Sequence, residues 1–322
     1  MQKDNILEVK NLVKWFPVKK SLFSKTNSYL KAVDNVSFSI PRGEVLGLVG
    51  ESGCGKSTTG RAILRLIEAT QGEVLLEGQD LYRLNKAALK EKRKDMQIVF
   101  QDPYASLNPR LTIRSIIGEA IKLHQVVGEK EREAFMEELL YEVGLGKHFL
   151  NHFPHQFSGG QRQRIGIARA LAVRPKLIVM DEAVSALDVS VQAQVLNLFQ
   201  DLQEKYGLTY LFITHNLSVV KHISNRIAVM YLGQIVELAD KEEFFQNPQH
   251  PYSRALISAI PSSSPEIKRE RILLKGDLTS PVDPPQGCRF YSRCPEAQAI
   301  CKEVQPLQKE VRNGHLVACH LR

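Results

Sequence analysis

A glycine-rich loop at residues 50–57, with the sequence GESGCGKS, has the residue types and spacing that can hold a phosphate group. Its three glycines permit backbone conformations that side chains forbid, so successive N–H groups can face an anion. Lys56 can then reach the terminal phosphates as a point charge, and the Ser57 hydroxyl can bind Mg²⁺ at the positive end of the following helix. A glycine-rich turn with a purely structural role is the alternative. The apolar strand pattern before the loop and the helical pattern after it favour phosphate binding.

Three further motifs lie downstream of this loop. Asp181 and Glu182 end an apolar strand, where one carboxylate can hold Mg²⁺ through its waters while the other polarises an attacking water. Residues 158–161, SGGQ, indicate a helix start capped by Ser158, and bare glycines there would let another body bring a phosphate to the exposed N–H groups. The third motif is a lone histidine, His215. Taken one at a time, the acid pair could be a surface feature, the SGGQ segment an ordinary capped helix, and His215 a structural histidine. In this order behind the loop, they predict ATP hydrolysis.

The composition bounds the class of protein. The chain has 322 residues, of which 43% are hydrophobic and 24% charged, as in ordinary soluble globular proteins. No apolar run approaches the ~20 residues that a membrane helix needs, and the N-terminus lacks the apolar segment of a secretory signal. We therefore expect a cytosolic protein that does not cross a bilayer by itself. A net charge of +8 would suit an anionic membrane or nucleic acid, but the basic residues are scattered, so composition alone chooses no partner.

The spacing of apolar residues predicts an α/β core with an inserted helical subdomain. Predicted strands cover residues 6–16, 31–40, 44–49, 176–180, 209–214, 226–231 and 234–238, with a polar hairpin loop at 19–27. Predicted helices cover residues 57–67, about 111–145, 158 to just before Pro175, and 191–205. After about residue 251, proline- and serine-rich stretches and four cysteines in the final 35 residues indicate a separate C-terminal module.

Together, these motifs resemble those of ATP-binding cassette (ABC) ATPases over residues 1–250. Residues 50–58 are similar to the Walker A loop of that family, and residues 157–161 are similar to its signature motif. The other similarities are Gln101 to the Q-loop glutamine, 177–182 to Walker B with its catalytic glutamate, 185–188 to the D-loop, and His215 to the switch histidine. Phe157 and Ala183 stand where leucine and proline are commoner, and neither departure affects the expectation of hydrolysis.

The resemblance implies a fold and a set of site residues. The fold would be a P-loop NTPase cassette over residues 1–250, with a RecA-like core, an antiparallel β subdomain and a helical subdomain at about 104–172. The catalytic residues would be Glu182, His215 and Gln101, and the Mg²⁺ ligands Ser57, Gln101 and Asp181. The nucleotide contacts would be Phe16 (or Trp15) on adenine, Gly50, Glu51, Ser52, Gly53, Cys54, Gly55, Lys56, Ser57, Thr58 and Asp181. Asp188 would be a further nucleotide-binding residue. In a head-to-tail dimer that sandwiches two ATP molecules, Ser158, Gly159, Gly160 and Gln161 would face the partner's nucleotide.

A narrower resemblance covers nearly the whole chain. Residues 100–110 (FQDPYASLNPR) and 247–253 (NPQHPYS) are similar to the ATP-binding subunits of oligopeptide and dipeptide importers. This implies a peripheral protein on the cytoplasmic face of the membrane, with two permease subunits, a solute-binding protein acting indirectly, and a C-terminal extension at 251–322. The DPY variant at 102–104 resembles the second of two ATPase subunits, which implies a heterodimer.

Two alternatives to peptide import stay open at this point. The same importer role could serve nickel, glutathione or another small solute, because no residue of an ATPase subunit touches the cargo. A soluble cassette protein acting on DNA or ribosomes is the other alternative. It is disfavoured by the single compact cassette, since DNA-repair members carry a long coiled coil and translation members carry two cassettes. We therefore expect no nucleic-acid partner.

Four cysteines in the C-terminal module have metal-binding chemistry available to them. Disulfides are unexpected in a cytosolic protein, and zinc sites usually show cysteine pairs two to four residues apart, which this module lacks. An iron–sulfur cluster tolerates more varied spacing, and some peptide-importer ATPases carry a [4Fe–4S] cluster in this extension. The resemblance therefore implies a [4Fe–4S] cluster, with Zn²⁺ or four structural thiols as alternatives, at Cys288, Cys294, Cys301 and Cys319. His315 and His320 are expected to be surface residues, and Cys54 a small residue of the phosphate loop.

Overall fold

The computed structural model describes residues 4–18, 28–260, 271–274, 276 and 280–322. The chain divides into two compact units. The unit that contains the glycine-rich loop, called the P-loop unit below, comprises Leu7–Ser39, Val45–Gln79 and Thr214–Arg322. The unit that contains the SGGQ motif, called the signature unit, comprises Met1–Ile6, Ile40–Glu44 and Asp80–Ile213.

The elements follow one another along the chain as alternating strands and helices. The strands are β1 (Asn5–Val18), β2 (Ser28–Pro41), β3 (Val45–Val49), β4 (Gln71–Leu76), β5 (Gln79–Asp80), β6 (Met96–Val99), β7 (Leu177–Asp181), β8 (Thr209–Thr214), β9 (Arg226–Tyr231), β10 (Gln234–Asp240), β11 (Lys309–Arg312) and β12 (His315–Val317). The helices are α1 (Lys56–Ile63), α2 (Lys86–Lys92), α3 (Pro103–Ser106), α4 (Ile113–Leu123), α5 (Arg132–Glu142), α6 (Gly159–Leu171), α7 (Val189–Tyr206), α8 (Leu217–Ile223), α9 (Lys241–Gln246), α10 (Pro251–Ser258) and α11 (Ala299–Glu303). Within the described ranges, no helix has both the length and the apolar character to cross a membrane.

The P-loop unit contains strands of two sheets. In the first, β1 lies between β2 and β4, and it runs antiparallel to β4 with Leu7 opposite Leu76 and Val9 opposite Val74. In the second, the order is β11-β12-β10-β9-β3, in which the β3–β9 pair is parallel and the pairs from β9 to β11 are antiparallel. The C-terminal strands β11 and β12 therefore extend the sheet that carries the glycine-rich loop at the end of β3.

An apolar core lies behind that loop. All five residues of β3 are buried, as expected for a parallel strand covered on both faces. The last residue of β3, Val49, shares this core with Val229 of β9 and with three aromatic residues. These are Tyr231, Tyr252 and Phe290, each at most 1% exposed. Phe290 comes from the C-terminal module, and burying such a ring stabilises a fold by about 1.5–3 kcal/mol. The module is thus anchored in the core of the P-loop unit.

The signature unit combines parallel strands with helices. β6 pairs with β7 and β7 with β8, both in parallel, so the carboxyl ends of these strands lie at one edge. The region 111–145, predicted as helical, contains α4 and α5 rather than one continuous helix. The chain breaks between them because Gln125 adopts a left-handed conformation (φ 50°), which a helix cannot continue through.

Most predicted elements are confirmed, and apart from the break within 111–145 the errors lie at the ends of elements. The predicted strands 209–214 and 226–231 coincide with β8 and β9, and the predicted helix 158–174 is α6, which ends at Leu171. The helix after the glycine-rich loop ends at Ile63 rather than at Ile67, because Arg65 is left-handed (φ 49°) and its N–H donates to the Ala62 carbonyl instead of continuing the helix. The predicted hairpin loop at 19–27 lies outside the described residues.

Candidate functional site

The backbone of the glycine-rich loop is closed so tightly that two of its positions accept only glycine. Gly50 has φ 156°, and a Cβ there would lie 2.2 Å from the Met230 carbonyl oxygen. Gly55 has φ 108°, and a Cβ there would lie 2.0 Å from the Ala32 carbonyl oxygen. Because both obstacles are backbone atoms, neither can be moved cheaply, so a side chain at either position would distort the loop.

Lys56 lies at the first position of α1 and turns its ammonium group back over the loop. The residue is 4% exposed, and Nζ donates to the carbonyl oxygens of Gly50 and Glu51, both at 2.9 Å. Nζ also contacts the Cys54 sulfur at 3.9 Å. A buried ammonium held by neutral groups is well placed to exchange them for phosphate oxygens, which form stronger charge-assisted bonds. Ser57 and Thr58 follow in the first turn of α1, where the helix dipole favours negative charge. The loop, the ammonium and the helix start therefore fit an Mg²⁺-nucleotide phosphate group.

Glu51 is held by two residues of the C-terminal extension, Tyr252 and Arg293. Its backbone N–H donates to the Tyr252 hydroxyl at 3.0 Å, and its carboxylate accepts two bonds from Arg293, at 2.8 and 3.1 Å. Tyr252 falls within the 247–253 motif, which gave the only sequence signal for this contact. No local pattern marks Arg293, since it lies 242 residues from Glu51 along the chain.

The remaining nucleotide candidates of the P-loop unit lie on β1 and after β8. Phe16 is half-buried, with the Lys14 ammonium 4.8 Å above its ring centre. Trp15 donates its indole N–H to Asp34 at 3.0 Å, and the Lys31 ammonium lies 4.6 Å above its ring. Each ring therefore has a lysine ammonium over one face, and the stacking of adenine on Phe16 (or Trp15) stays a prediction. His215 is exposed just after β8.

In the signature unit, the acid pair occupies the carboxyl end of a buried strand. Asp181 is the last residue of β7 and 3% exposed, and Glu182 adopts a left-handed conformation (φ 51°) with its N–H donating to the Ile213 carbonyl at 2.9 Å. A non-glycine residue in this region is strained, and such strain concentrates at functional sites. Gln101 is exposed after the parallel strand β6, so it lies at the same sheet edge as Asp181. This set of carboxylate and amide oxygens fits a hard cation such as Mg²⁺.

The SGGQ motif forms a helix start that caps itself. Ser158 Oγ accepts from the Gln161 N–H at 3.3 Å, and Gln161 Oε1 accepts from the Ser158 N–H at 3.0 Å. Its second glycine serves packing within the same unit, because a Cβ at Gly160 would lie 2.5 Å from Val191 Cγ1 of α7. Asp188, just before α7, is exposed. The predicted helix cap is confirmed, and Gly160 has an intrachain neighbour that sequence reasoning missed.

The iron–sulfur prediction is wrong. Among the residues that the structure describes, no group of three or more His, Cys, Asp or Glu side chains is arranged to hold a metal ion. Cys288 and Cys294 instead pack against the apolar core behind the P-loop. Burial raises the pKa of Cys288 to about 11 and also raises the pKa values of Cys294 and Cys319, which disfavours the thiolate form that binds iron or zinc. These cysteines, together with Cys301, are free thiols in the structure.

Two further expectations concern His315, which was expected at the surface, and Cys54, which was expected to be a small residue of the phosphate loop. His315 is 1% exposed, not a surface residue, and its Nε2 lies 2.7 Å from a carboxylate oxygen of the fully buried Glu237. Burial alone would lower the pKa of His315, but the bonds to Glu237 raise it. Burial raises the pKa of Cys54, which is 4% exposed, so this thiol stays protonated as a small loop residue.

Comparisons with known proteins agree with this geometry. Residues 33–185 match the family model described as ABC transporter, and residues 236–301 match the model described as oligopeptide/dipeptide transporter, C-terminal region. The oligopeptide transport ATP-binding protein AppF of Bacillus subtilis (strain 168) is 55% identical over 321 residues, which cover 99% of this chain and 98% of that protein. The putative oligopeptide transport ATP-binding protein YkfD of the same strain is 55% identical over 295 residues, 91% of this chain and 90% of that protein.

A solved structure shares the fold. The ATP-binding cassette MJ0796, in a dimeric post-hydrolysis state bound to ADP and Pi, superposes with a TM-score of 0.64 at 31% identity. The match covers 73% of this chain and 98% of that one. The predicted fold class, an α/β P-loop cassette, is thereby confirmed.

Proposed function

Because the chain belongs to the ATP-binding cassette ATPases that carry the oligopeptide/dipeptide transporter C-terminal region, we propose that it hydrolyses ATP to power peptide uptake through a separate membrane permease. The observation that carries this proposal is the 55% identity to an oligopeptide transport ATP-binding protein over 99% of the chain. The cassette is assigned to residues 1–250, with its helical subdomain at about 104–172, and the extension to 251–322.

The P-loop unit binds the nucleotide in this proposal. The N–H groups of residues 50–57 and the Lys56 ammonium hold the β- and γ-phosphates, and Phe16 stacks on adenine. The tight glycine backbone and the carbonyl-bound ammonium described above support these roles. Mg²⁺, when bound, neutralises phosphate charge, and Ser57, Asp181 and Gln101 are the residues assigned to hold it.

Glu182 is assigned the role of general base. Its carboxylate takes a proton from the attacking water, whose oxygen bonds to the γ-phosphorus while the bond to the bridging oxygen of ADP breaks. Asp181 at the strand end and the strained backbone of Glu182 support a division of labour between the two acids. His215 is assigned to contact the γ-phosphate, and Gln101 to sense the attacking water.

A second ATPase subunit completes the site in this proposal. Residues 158–161 and Asp188 would face the γ-phosphate held by the partner's P-loop, and the DPY variant at 102–104 favours a heterodimer. The segment after Gln101 would grip the permease, which holds the subunit on the cytoplasmic face of the membrane. A solute-binding protein would act only through the permease.

Reconstitution tests the proposal and its cargo. The subunit is co-purified with its permease and partner ATPase, placed in proteoliposomes with ATP, and supplied with labelled di- and oligopeptides, nickel or glutathione. We expect ATP-dependent uptake of peptides that is lost when Glu182→Gln replaces the wild-type chain. Uptake of nickel or glutathione alone would replace peptide as the cargo, and no ATP-dependent uptake of any of them would contradict the proposed role.

A further inference from the structure

We propose that the C-terminal extension positions the phosphate-binding loop, and that Arg293 sets the affinity for ATP by holding and neutralising Glu51. This inference rests on the proposed nucleotide site, and it adds a role for the extension in that site. The residues that carry it all lie in the P-loop unit.

Glu51 is bound at both its backbone and its side chain by the extension. The Tyr252 hydroxyl accepts the Glu51 N–H at 3.0 Å, so this amide is already committed and acts as a fixed point of the loop. Arg293 grips both carboxylate oxygens, at 2.8 and 3.1 Å, in the bidentate geometry that makes arginine–carboxylate pairs strong and directional. The Glu51 carbonyl accepts from Lys56, the residue assigned to the phosphates. A movement of Glu51 is therefore transmitted to the phosphate-binding ammonium.

The charge of Glu51 gives Arg293 an electrostatic task as well. A carboxylate next to Gly50 in the loop would repel the polyanionic phosphates of ATP if it had no counter-charge. The Arg293 side chain is only 10% exposed and that of Glu51 24%, so the pair is screened less than a surface ion pair. The hydrogen bonds to Glu51 raise the pKa of Arg293, so the guanidinium is charged at every physiological pH.

The support beneath these contacts is rigid. Tyr231, Tyr252 and Phe290 form a mutual aromatic cluster, with ring centres 4.7, 5.2 and 5.4 Å apart. The Tyr231 hydroxyl also lies 3.4 Å from Arg293. Tyr252 is part of this packed core, and Arg293 contacts the core through Tyr231. Both groups that hold Glu51 are therefore fixed in place before any ligand binds.

A second arginine of the same segment reaches the neighbouring strand. Arg289 is 5% exposed and bonds both the Asp34 carboxylate and the Leu232 carbonyl. Asp34 also accepts the indole N–H of Trp15, which precedes the residue assigned to adenine. Residues 288–294 therefore contact the nucleotide-binding elements at two places, the phosphate loop and the aromatic end of β1.

ATP affinity of matched variants tests the inference. Equilibrium binding of Mg-ATP to the full chain is measured for Arg293→Met, Glu51→Gln and the double variant, with kcat and KM alongside. We expect Arg293→Met to raise Kd about tenfold because Glu51 is left uncompensated, with a larger effect on KM than on kcat. Removing the charge of Glu51 as well should return Kd to within about threefold of wild type, a rescue that a merely structural arginine would not give.

The controls separate failure of this inference from failure of the site. Arg312→Met removes an exposed ion pair with Glu243 (3.1 Å) in the same unit and should leave Kd unchanged. Lys56→Ala should abolish binding; if it does not, the nucleotide-site assignment fails. If Lys56→Ala abolishes binding while Arg293→Met matches wild type, or while the double variant stays as weak as Arg293→Met, the inference about Arg293 is overturned. Arg293→Lys, which keeps the charge but loses the two-pronged contact, provides a milder variant in case Arg293→Met folds poorly, and should raise Kd about threefold.

The tryptophan provides an independent check on each variant. The chain has one tryptophan, Trp15, which bonds Asp34, so its emission reports on the surroundings of that bond, including the Asp34–Arg289 contact. We expect Arg293→Met to leave that emission unchanged, because Arg289 still holds Asp34. A shifted emission together with weak binding in both Arg293→Met and the double variant would assign the loss to general misfolding and overturn the specific role of Arg293.

Discussion

Two glycine-rich helix starts in this protein are supported in different ways. The start of α1 has left-handed Gly55 before it and makes no side-chain cap of its own, and its loop is held by distant residues, Tyr252 and Arg293. The start of α6 is capped locally by the side chains of Ser158 and Gln161. One helix start depends on long-range contacts, and the other is complete within four residues of sequence.

This difference matches the two tasks proposed for them. A loop that wraps a phosphate must keep its N–H groups turned inward, so its backbone has to be braced from outside by the rest of its unit. A helix start that meets a partner's phosphate needs only an exposed, pre-formed end. In the proposed function, the same residue types serve as a phosphate-binding cradle in one place and as a partner-contacting surface in the other.

The largest expected effect is on nucleotide affinity, when the Lys56 ammonium at the start of α1 is removed. The start of α6 has no such ammonium. Lys56→Ala should weaken Mg-ATP binding about 100-fold or more, because a charge-assisted contact to phosphate is lost from a buried position. The measurement is equilibrium binding by calorimetry or filter retention. A matched change in the other helix start, Gln161→Ala, should leave nucleotide binding to the single chain within about twofold, since the proposed function assigns that start to a partner's nucleotide. Comparable losses in the two variants would contradict the comparison.

Acid should weaken the long-range support and spare the local cap. His250 Nδ1 accepts the N–H of Tyr252 at 3.1 Å, and this requires an unprotonated nitrogen. Burial lowers the pKa of His250 from 6.5 to about 4, with Glu237 and Glu296 opposing and Arg322 and Arg254 adding to the shift. Because the unfolded state takes up this proton first, stability should fall as the pH drops from 6.5 towards 4, by about 3 kcal/mol in all.

Titration of the neighbouring buried pair, His315 and Glu237, does not hide the loss of stability that His250 should cause between pH 6.5 and 4.5. His315 has a raised pKa, so its contribution is present below 6.5 and is lost as the pH rises through its folded pKa. Glu237 has a lowered pKa despite its burial, so its contribution is present above 4.5 and is lost only in stronger acid. Urea unfolding of wild type and His250→Asn between pH 4.5 and 6.5 isolates the effect, because asparagine keeps the cap without titrating. Equal pH slopes in the two proteins would show that His250 does not titrate on unfolding.

The smallest of these effects should be on ATP turnover, when a side chain is added at Gly160 in the self-capped start of α6. Gly160→Ala places a methyl group 2.5 Å from Val191 Cγ1, and we expect ATP turnover in the assembled complex to fall about tenfold with unchanged nucleotide binding. Adding Val191→Ala makes room and should restore most of the turnover. If the double variant turns over ATP as slowly as Gly160→Ala, then the glycine is needed for an approaching partner rather than for packing against α7.

Local patterns predicted the elements and the phosphate loop because both depend on neighbouring residues. β8 and β9 were placed to the residue, and Ser158 was identified as a helix cap, since periodicity and capping chemistry act over a few positions. The end of α1 was missed because a left-handed arginine, Arg65, has no sequence signature.

Long-range contacts could not be predicted in the same way. The bracing of Glu51 by Arg293 joins residues 242 positions apart, and neither residue is unusual in its own segment. The cysteines were misread for a related reason. Their spacing is compatible with a cluster, but the packing of Cys288 and Cys294 on an apolar core, which keeps such thiols protonated, is a property of the folded chain alone.

ATP turnover and binding by Glu182→Gln test the central claim most directly, that this chain hydrolyses ATP with Glu182 as its base. Mg-ATP affinity and phosphate release are measured on the same preparation, assembled with its partner subunits. We predict wild-type affinity with phosphate release slowed about 10²–10³-fold, because glutamine keeps the size of the side chain but cannot accept the proton of the attacking water. Phosphate release at the wild-type rate would contradict the account.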